Sequence, residues 1–169
     1  MHETREDLDN LQKLLDASRA TAGPHLREVF TDTLGLTAQQ LVIRLAGVRV
    51  LTLATVTATG EPLAAPIDGI FYRGCFYFGS SPESVRLRHI ATRQAVSATY
   101  LEGEELAVVV HGRAVRLDLS DPAQQGLREC LAEVYGPRYG PNWIDWASSA
   151  AIYCRIEPRR MFASRLPGA

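Results

Sequence analysis

The sequence contains little cysteine and no long apolar run. Its three cysteines, Cys75, Cys130 and Cys154, are an odd number without CxxC spacing. This pattern excludes a disulfide framework and a zinc finger, and no metal site is predicted. No apolar stretch approaches the roughly 20 residues of a membrane span, and the acidic N-terminus "MHETREDLDNLQ" is unlike a signal peptide. We therefore expect a soluble cytoplasmic protein without a membrane partner.

An excess of positive charge is also missing. The chain of 169 residues has 18 lysines and arginines against 19 acidic residues, and Lys13 is its single lysine. Nucleic-acid binding requires a net basic face or a dense basic patch, so no nucleic-acid partner is predicted. Neither a GxGxxG loop after a strand nor a GxSxG motif occurs, which excludes a Rossmann dinucleotide site and a serine hydrolase.

Helical signals are concentrated in the first 47 residues. Apolar residues recur at helical spacing in two segments: Leu8, Leu11 and Leu15, then Leu26, Val29 and Phe30 with an end at Thr33. A third helix is predicted from Thr37 as N-cap and Gln40 as its capping-box partner, with Gly47 as terminator. These residues predict a helical N-terminal extension over 1–47.

From residue 48 the period changes to that of β-strands. Runs rich in valine, threonine and aromatics are cut by the turns "TATGEP", "YRG" and "EGEE", which predicts antiparallel hairpins. One helix is predicted over Ser84–Arg93 and another from Asp121 to about Tyr135. The segment "YGPRYGPNWIDW" is predicted to be a loop, followed by two strands hinged at Pro158. The expected fold is α+β and mainly β, with about six antiparallel strands closing a barrel over 48–169 in a single domain.

The junction "GSSPESVRLRHI" carries most of the polar chemistry. Hydroxyls and guanidinium groups cluster where a strand becomes a helix, at Ser80, Ser81, Ser84, Arg86 and Arg88. Helix N-termini and arginines bind phosphate, so the motif fits an anion site. The same residues also fit ordinary helix capping with solvated arginines, and Glu83 adds an opposing charge.

The order of several motifs resembles the pyridoxamine-phosphate-oxidase-like flavin-binding split barrels. The motifs are "TLATVTATGEP", "FYFGSSPESVR", "AVSATY" and "VHGRAV" within 49–117, followed by "AIYCRIEPRRMFAS" near the C-terminus. The resemblance implies an FMN phosphate at Ser80, Ser81, Ser84 and Arg86. It further implies a homodimer whose second subunit completes the pocket, and a flavin-dependent oxidoreductase acting on a small molecule. The ring would lie along two strand segments, at Thr52, Ala54 and Thr55 and at Pro66, Ile67 and Asp68.

Other cofactors and functions stay open at this point. True pyridoxamine-phosphate oxidases carry basic residues where Ala64 and Gly69 stand, so vitamin B6 oxidation is not indicated. A deazaflavin (coenzyme F-420) reductase would use further arginines, for which Arg88, Arg49 and Arg138 are available. A haem-binding barrel would need His111 as ligand, and a non-catalytic flavin module could dock a partner on its N-terminal helices.

Three residues are candidates for a substrate pocket: His111, Trp143 and Trp146. Each has an equally ordinary structural interpretation, since strand histidines are often satisfied within the fold and large aromatics often anchor a core or a dimer interface. Tyr135 and Tyr139 add to the same aromatic segment. No catalytic acid or base is assigned, because cofactors of this kind carry the redox chemistry themselves.

Overall fold

The computed structural model describes residues 2–29 and 34–165. Phe30 and Thr33, which were predicted to belong to the second helix, lie outside these residues. The helices are α1 Arg5–Ala20, α2 Pro24–Val29, α3 Ala38–Arg44, α4 Val85–Thr92, α5 Gln125–Tyr139 and α6 Trp143–Ala150. The strands are β1 Val48–Val56, β2 Pro62–Tyr72, β3 Cys75–Ser80, β4 Ala95–Glu102, β5 Leu106–Leu117 and β6 Ile152–Arg165.

The six strands form one closed antiparallel barrel in the order β1-β2-β3-β6-β5-β4. This architecture confirms the predicted fold class. Alternation sets the barrel interior: on β1, Leu51, Leu53 and Thr55 are buried while Val50 and Thr52 are exposed. Within the described part of the chain, every helix is too short or too polar to cross a membrane.

The N-terminal helices pack onto the barrel. Leu11 and Leu15 of α1 belong to the same buried cluster as the barrel interior. Helix α3 has the predicted capping box, in which Thr37 Oγ1 accepts from the Gln40 amide at 3.2 Å and the Thr37 amide donates to Gln40 Oε1 at 3.0 Å. The buried hydroxyl of Ser18 accepts a hydrogen bond from the Met161 amide of β6 at 2.9 Å. The first and last segments of the chain are therefore joined directly.

Residues 34–36 cover one edge of β6. Strand β3 pairs with β6 over residues 152–156 alone, whereas β5 follows β6 to residue 165. On the edge that β3 leaves, the Leu36 amide donates to the Ala163 carbonyl at 3.1 Å and the Arg165 amide donates to the Leu34 carbonyl at 2.9 Å. An uncovered strand edge is a template for association with other chains, and this segment removes it.

The predicted loop after Tyr135 is wrong. Helix α5 continues through Pro137 to Tyr139, and a further helix, α6, starts at Trp143. Pro137 lies in the last turn of α5, where the hydrogen bond that it removes is at the exposed end of the helix. Gly140, with φ 94°, then ends α5 and lets the chain turn into α6.

The predicted hinge at Pro158 is also wrong, because β6 is continuous from Ile152 to Arg165. The register with β5 shifts between His111 and Gly112, where Gly112 pairs with Pro158 and His111 with Arg160. Proline is tolerated in sheets at such bulges. A Cβ on Gly112 would lie 2.1 Å from the Glu157 carbonyl oxygen, so the bulge leaves space for glycine alone at this position.

Candidate functional site

The β3–α4 junction is held by its own serines. The Ser80 hydroxyl donates to Ser84 Oγ at 3.0 Å, and Ser84 Oγ accepts from the Leu87 amide at 3.4 Å as the N-cap of α4. The Ser84 amide donates to the Ser81 carbonyl at 2.9 Å. The predicted cap is confirmed, and it places three hydroxyls around the first turn of the helix. The first amides of α4 have no acceptor within the helix, which is the arrangement that binds anions.

Arg86 reaches from α4 to β2. Its Nη2 donates to the Pro66 carbonyl at 3.2 Å, while its buried Nη1 has no hydrogen-bond partner among the described residues. Burial lowers the pKa of Arg86, although a guanidinium remains charged at neutral pH. A half-buried cation with an unsatisfied donor is uncommon, because such groups are normally paired. This group is suited to receive an anionic oxygen.

Arg88 does not join Arg86. It is exposed, and its Nη1 donates to the Glu83 carbonyl at 2.9 Å. Two residues along a helix is about 200° of rotation, so the two guanidinium groups leave α4 on opposite sides. The sequence motif contains both arginines, but only Arg86 lies on the side of α4 that faces β2.

The residues predicted to line the flavin ring lie on the adjacent strands β1 and β2. Thr52 pairs with Pro66, which accepts the hydrogen bond from Arg86, and Asp68 is exposed two residues further along β2. Ala54 and Ile67 are half-buried. Thr52, Pro66 and Arg86 are therefore brought together at one place on the outer surface of the barrel.

Thr55 has a partner that the sequence interpretation missed. This threonine is buried, and its Oγ1 lies 2.9 Å from Nδ1 of His89 on α4. His89 is itself half-buried. Its position three residues after Arg86 puts both side chains on the same face of the helix, and this spacing was the available signal.

A cavity of about 970 Å³ adjoins the junction. Asp68, Ser80 and Ser81 line one side of it. The opposite side is formed by four rings from α5 and α6, here called the aromatic wall: Tyr135, Tyr139, Trp143 and Trp146. A volume of this size accommodates a small-molecule ligand.

Stacking holds the aromatic wall together. The rings of Tyr135 and Trp143 stack with centroids 4.3 Å apart at an angle of 29°, and Tyr139 lies 6.1 Å from Trp143. Arg128 of α5 is 3.6 Å from Asp145 of α6, which also links the two helices. The wall exists because α5 continues past Pro137 and so brings Tyr139 toward Trp143.

Tyr153 of β6 lies where the two sides of the cavity meet. It pairs with Gly79 of β3, and a Cβ on Gly79 would be 2.9 Å from the Tyr153 ring. Burial raises the pKa of Tyr153 to about 12. Gly79 therefore lets this ring lie against the strand directly before Ser80.

Other candidates lie away from the cavity. His111 is exposed on β5, with Nδ1 2.8 Å from the Ser97 hydroxyl. Burial raises the pKa of each cysteine thiol to about 11, so Cys75, Cys130 and Cys154 are not activated nucleophiles. Across residues 2–29 and 34–165, no three His, Cys, Asp or Glu side chains converge to hold a metal ion.

Solved structures with the same fold include proteins with different cofactors. Rv2991 of Mycobacterium tuberculosis is 17% identical with a TM-score of 0.66 (79% of this chain, 88% of that chain). A FAD-binding protein of Mesorhizobium loti is 20% identical at 0.58 (77% and 93%), and HutZ, a haem storage protein of Vibrio cholerae, is 17% identical at 0.58 (75% and 91%). An F-420 reductase has a TM-score of 0.53. The chain has their fold. No protein-family model and no curated protein matches it.

The junction fits a phosphate group on its own geometry. Three serine hydroxyls and the first-turn amides of α4 lie at the junction, and Arg86 of the same helix has an Nη1 without a partner among the described residues. Phosphate oxygens accept such charge-assisted hydrogen bonds readily. This donor set is suited to the phosphate group of a ligand.

Proposed function

We propose that this protein is an FMN-dependent oxidoreductase that acts on a small organic molecule. The observation that carries the proposal is Arg86, whose guanidinium is anchored to the Pro66 carbonyl and keeps a buried donor without a partner. A protein that used α4 only as a structural helix would not need this cation against β2. A phosphate at the junction would compensate the charge of Arg86, and Nη1, which is buried in this conformation, would pair with a phosphate oxygen once the side chain rotates.

FMN, when bound, supplies the transfer of hydride or of single electrons. The protein's own residues hold and orient the cofactor. Ser80, Ser84 and Arg86 would bind its phosphate, and the exposed surface at Thr52 and Pro66 would face its ring. The cavity beside Ser81 would then admit the substrate next to the cofactor.

Two of the three arginines that could bind the acidic tail of coenzyme F-420, Arg49 and Arg88, are already engaged by backbone carbonyls. Arg49 donates to the Arg44 carbonyl at 3.2 and 2.9 Å and to the Val48 carbonyl at 3.1 Å. Arg88 is bonded to the Glu83 carbonyl. His111, the candidate haem ligand, lies outside the cavity and has Ser97 as its neighbour. FMN is therefore the cofactor that the site supports best.

The exposed apolar side chains on β1 and β4 favour a homodimer. Val50 is 59% exposed and Leu101 is 60% exposed. Thr52 of β1 pairs with Thr99 of β4. Val50 is two positions from Thr52 and Leu101 is two positions from Thr99, so both apolar side chains project from the same outer face of the sheet. Val50→Glu should shift the protein from dimer to monomer in light scattering, whereas a protein that is monomeric before the change contradicts the dimer.

Titration with FMN tests the cofactor site. Arg86→Ala should weaken FMN binding about 10- to 100-fold, because a hydrogen bond to a charged group contributes about 1.5–3 kcal/mol. Arg88→Ala removes the same charge from the same helix on its other side, and should change the affinity less than about twofold. Flavin fluorescence quenching and absorbance measure both.

The conservative variant Arg86→Lys should recover part of the lost affinity, since it restores the cation without the two-pronged geometry. Equal affinities for Arg86→Ala and Arg88→Ala would overturn the assignment of the phosphate site. Parallel titrations with coenzyme F-420 and with hemin compare the cofactors, and tighter binding of either one than of FMN would replace FMN.

A further inference from the structure

The cavity beside the junction has a defined chemical character. Its aromatic wall presents stacked rings from Tyr135, Tyr139 and Trp143 with a second indole from Trp146. Flat aromatic surfaces bind other flat rings by offset stacking. Saturated, bulky groups cannot stack in this way. Apart from the tyrosines, the polar side chains that line the cavity are few: Asp68, Ser80, Ser81 and Asn142. A planar ligand with few polar substituents matches this lining.

The charge of the cavity is negative. Asp68 is the one fully charged side chain among the described residues that line it, and no lysine, arginine or histidine lines it. Burial raises the pKa of Tyr135, and the charge of Asp68 raises it further, so the carboxylate acts on the aromatic wall across the cavity. Arg138 lies outside the lining, with its guanidinium 5.3 Å from the centre of the Tyr139 ring.

The ring faces and the Asp68 carboxylate both disfavour anionic ligands. The face of an aromatic ring is electron-rich and attracts cations, and a nearby carboxylate repels anions. A ligand with its own carboxylate or phosphate would meet both effects without a compensating cation in the lining. An uncharged or cationic ring would meet neither penalty.

We propose that this cavity takes a planar aromatic substrate that is uncharged or cationic, and that Asp68 is the specificity-determining residue that excludes anionic aromatics. The proposal rests on the proposed function, because Ser80 and Ser81 border both the cavity and the cofactor's phosphate site. It assigns the phosphate donors of the junction to the cofactor and leaves none for the substrate.

The two tryptophans of the chain make the cavity observable. Both are in the aromatic wall, so all tryptophan emission originates there. Nitroaromatic compounds quench indole fluorescence, and three of nearly equal shape differ only in charge: 4-nitrobenzamidine, 4-nitrobenzamide and 4-nitrobenzoate. Titration of the FMN-loaded protein should give affinities in that order. The benzoate should bind about tenfold more weakly than the amide, as expected for like charges at the edge of a protein.

The variant Asp68→Asn tests the cause of this selectivity. The benzoate should then bind nearly as well as the amide, and the advantage of the amidine should disappear. Asp145→Asn is the matched control, since Asp145 lies on α6 but pairs with Arg128 and does not line the cavity. That variant should keep the wild-type order. A benzoate affinity equal to the amide affinity in the wild type, or an order that Asp68→Asn leaves unchanged, would overturn the role of Asp68.

The same titrations separate this inference from the proposed function. If FMN binds normally and no nitroaromatic quenches the tryptophans, the substrate assignment fails while the cofactor assignment stands. If FMN does not bind, and the probes titrated into the protein without FMN still bind in the predicted order, the proposed function fails and the cavity's selectivity stands. Probes that compete with FMN would show that the aromatic wall holds the flavin ring, and this would overturn the substrate assignment.

Discussion

The two sides of the cavity are built by different kinds of contact. The junction side, from Gly79 to Arg86, is held by hydrogen bonds between groups that are close in sequence, such as Ser80 with Ser84. The aromatic wall is held by rings from two helices, with Tyr135 and Trp143 in the stacked pair. Local hydrogen bonds fix a few atoms accurately, whereas ring stacking fixes a surface. The first suits a phosphate group, and the second suits a flat molecule of less defined substitution.

The largest effect should come from the residue at which both sides meet. Gly79→Ala places a methyl group 2.9 Å from the buried Tyr153 ring, which must move. Overpacking of this kind destabilises by about 1–3 kcal/mol, and the movement should disturb both sides together. Urea unfolding measures the change in the free energy of unfolding.

Gly23→Ala is the control for this variant, because Gly23 is exposed outside the helices and a Cβ there meets no atom within 4 Å beyond its chain neighbours. It should change the free energy of unfolding by less than about 0.5 kcal/mol. If Gly79→Ala is as stable as the wild type, the contact between Tyr153 and β3 is not a tight one.

The aromatic wall can be weakened without the junction. Trp143→Ala removes the ring that stacks on Tyr135 and should destabilise the protein by at least about 1.5 kcal/mol, because the aromatic pair contributes up to this amount beyond the area that the ring buries. The near-ultraviolet circular dichroism signal should fall as well. The affinity for FMN should stay the same, because the phosphate site at the junction is unchanged.

Trp146→Ala provides the comparison, since that indole is 62% exposed and its loss should change stability by less than about 0.5 kcal/mol. Equal effects of the two variants would mean that stacking within the wall contributes no stability.

The junction can in turn be weakened without the wall. Ser84→Ala removes the N-cap of α4 and the acceptor of the Ser80 hydroxyl, at a loss of about 1 kcal/mol. Ser84→Thr should restore most of it. Ser81→Ala, at an exposed position whose hydroxyl makes no hydrogen bond within residues 2–29 and 34–165, should stay within about 0.5 kcal/mol of the wild type in chemical unfolding. If Ser81→Ala loses as much stability as Ser84→Ala, the N-cap of α4 does not have the stabilising role assigned to Ser84.

The smallest effect concerns the buried tyrosine between the two sides. The pKa of Tyr153 is raised by burial to about 12, above its value in the unfolded chain. The unfolded chain therefore ionises first, and stability falls as the pH rises from about 10 toward 12. For this group alone the loss at pH 10 is about 0.4 kcal/mol. Tyr153→Phe should be less sensitive to alkaline pH than the wild type, and an unchanged pH profile would contradict the shift.

The sequence predicted the junction more accurately than the wall for a physical reason. Caps such as Thr37 with Gln40, and Ser84 before α4, depend on groups three residues apart, so their signal is local. The side of α4 from which Arg86 projects also follows from helical rotation. Its contact with Pro66 depends on how α4 packs against the closed barrel and could not be predicted from the sequence. Six strands and their antiparallel order could likewise be predicted from turns and alternation.

The prediction failed where tertiary contacts override local signals. Pro137 predicts a helix end, yet α5 continues because the ring of Tyr139, which follows Pro137, stacks on Trp143. Pro158 reads as a hinge, yet the bulge opposite Gly112 absorbs it within β6. His89 and Thr55 are 34 positions apart, so the spacing from Arg86 indicates the helix face of His89 but does not identify Thr55 as its partner. The predicted flavin-contact residues, the dimer and the boundary at residue 47 stay predictions.

The hydrogen bond between Ser18 and Met161 has a consequence for synthesis of the chain. The hydroxyl is made 143 residues before the amide that it accepts from. While the ribosome adds the intervening strands, the apolar face of α1 has no barrel to cover, and the first segment has to wait for the last. Completion of the native state is therefore tied to the emergence of β6 from the ribosome, and synthesis of the first half of the barrel alone does not let the molecule mature.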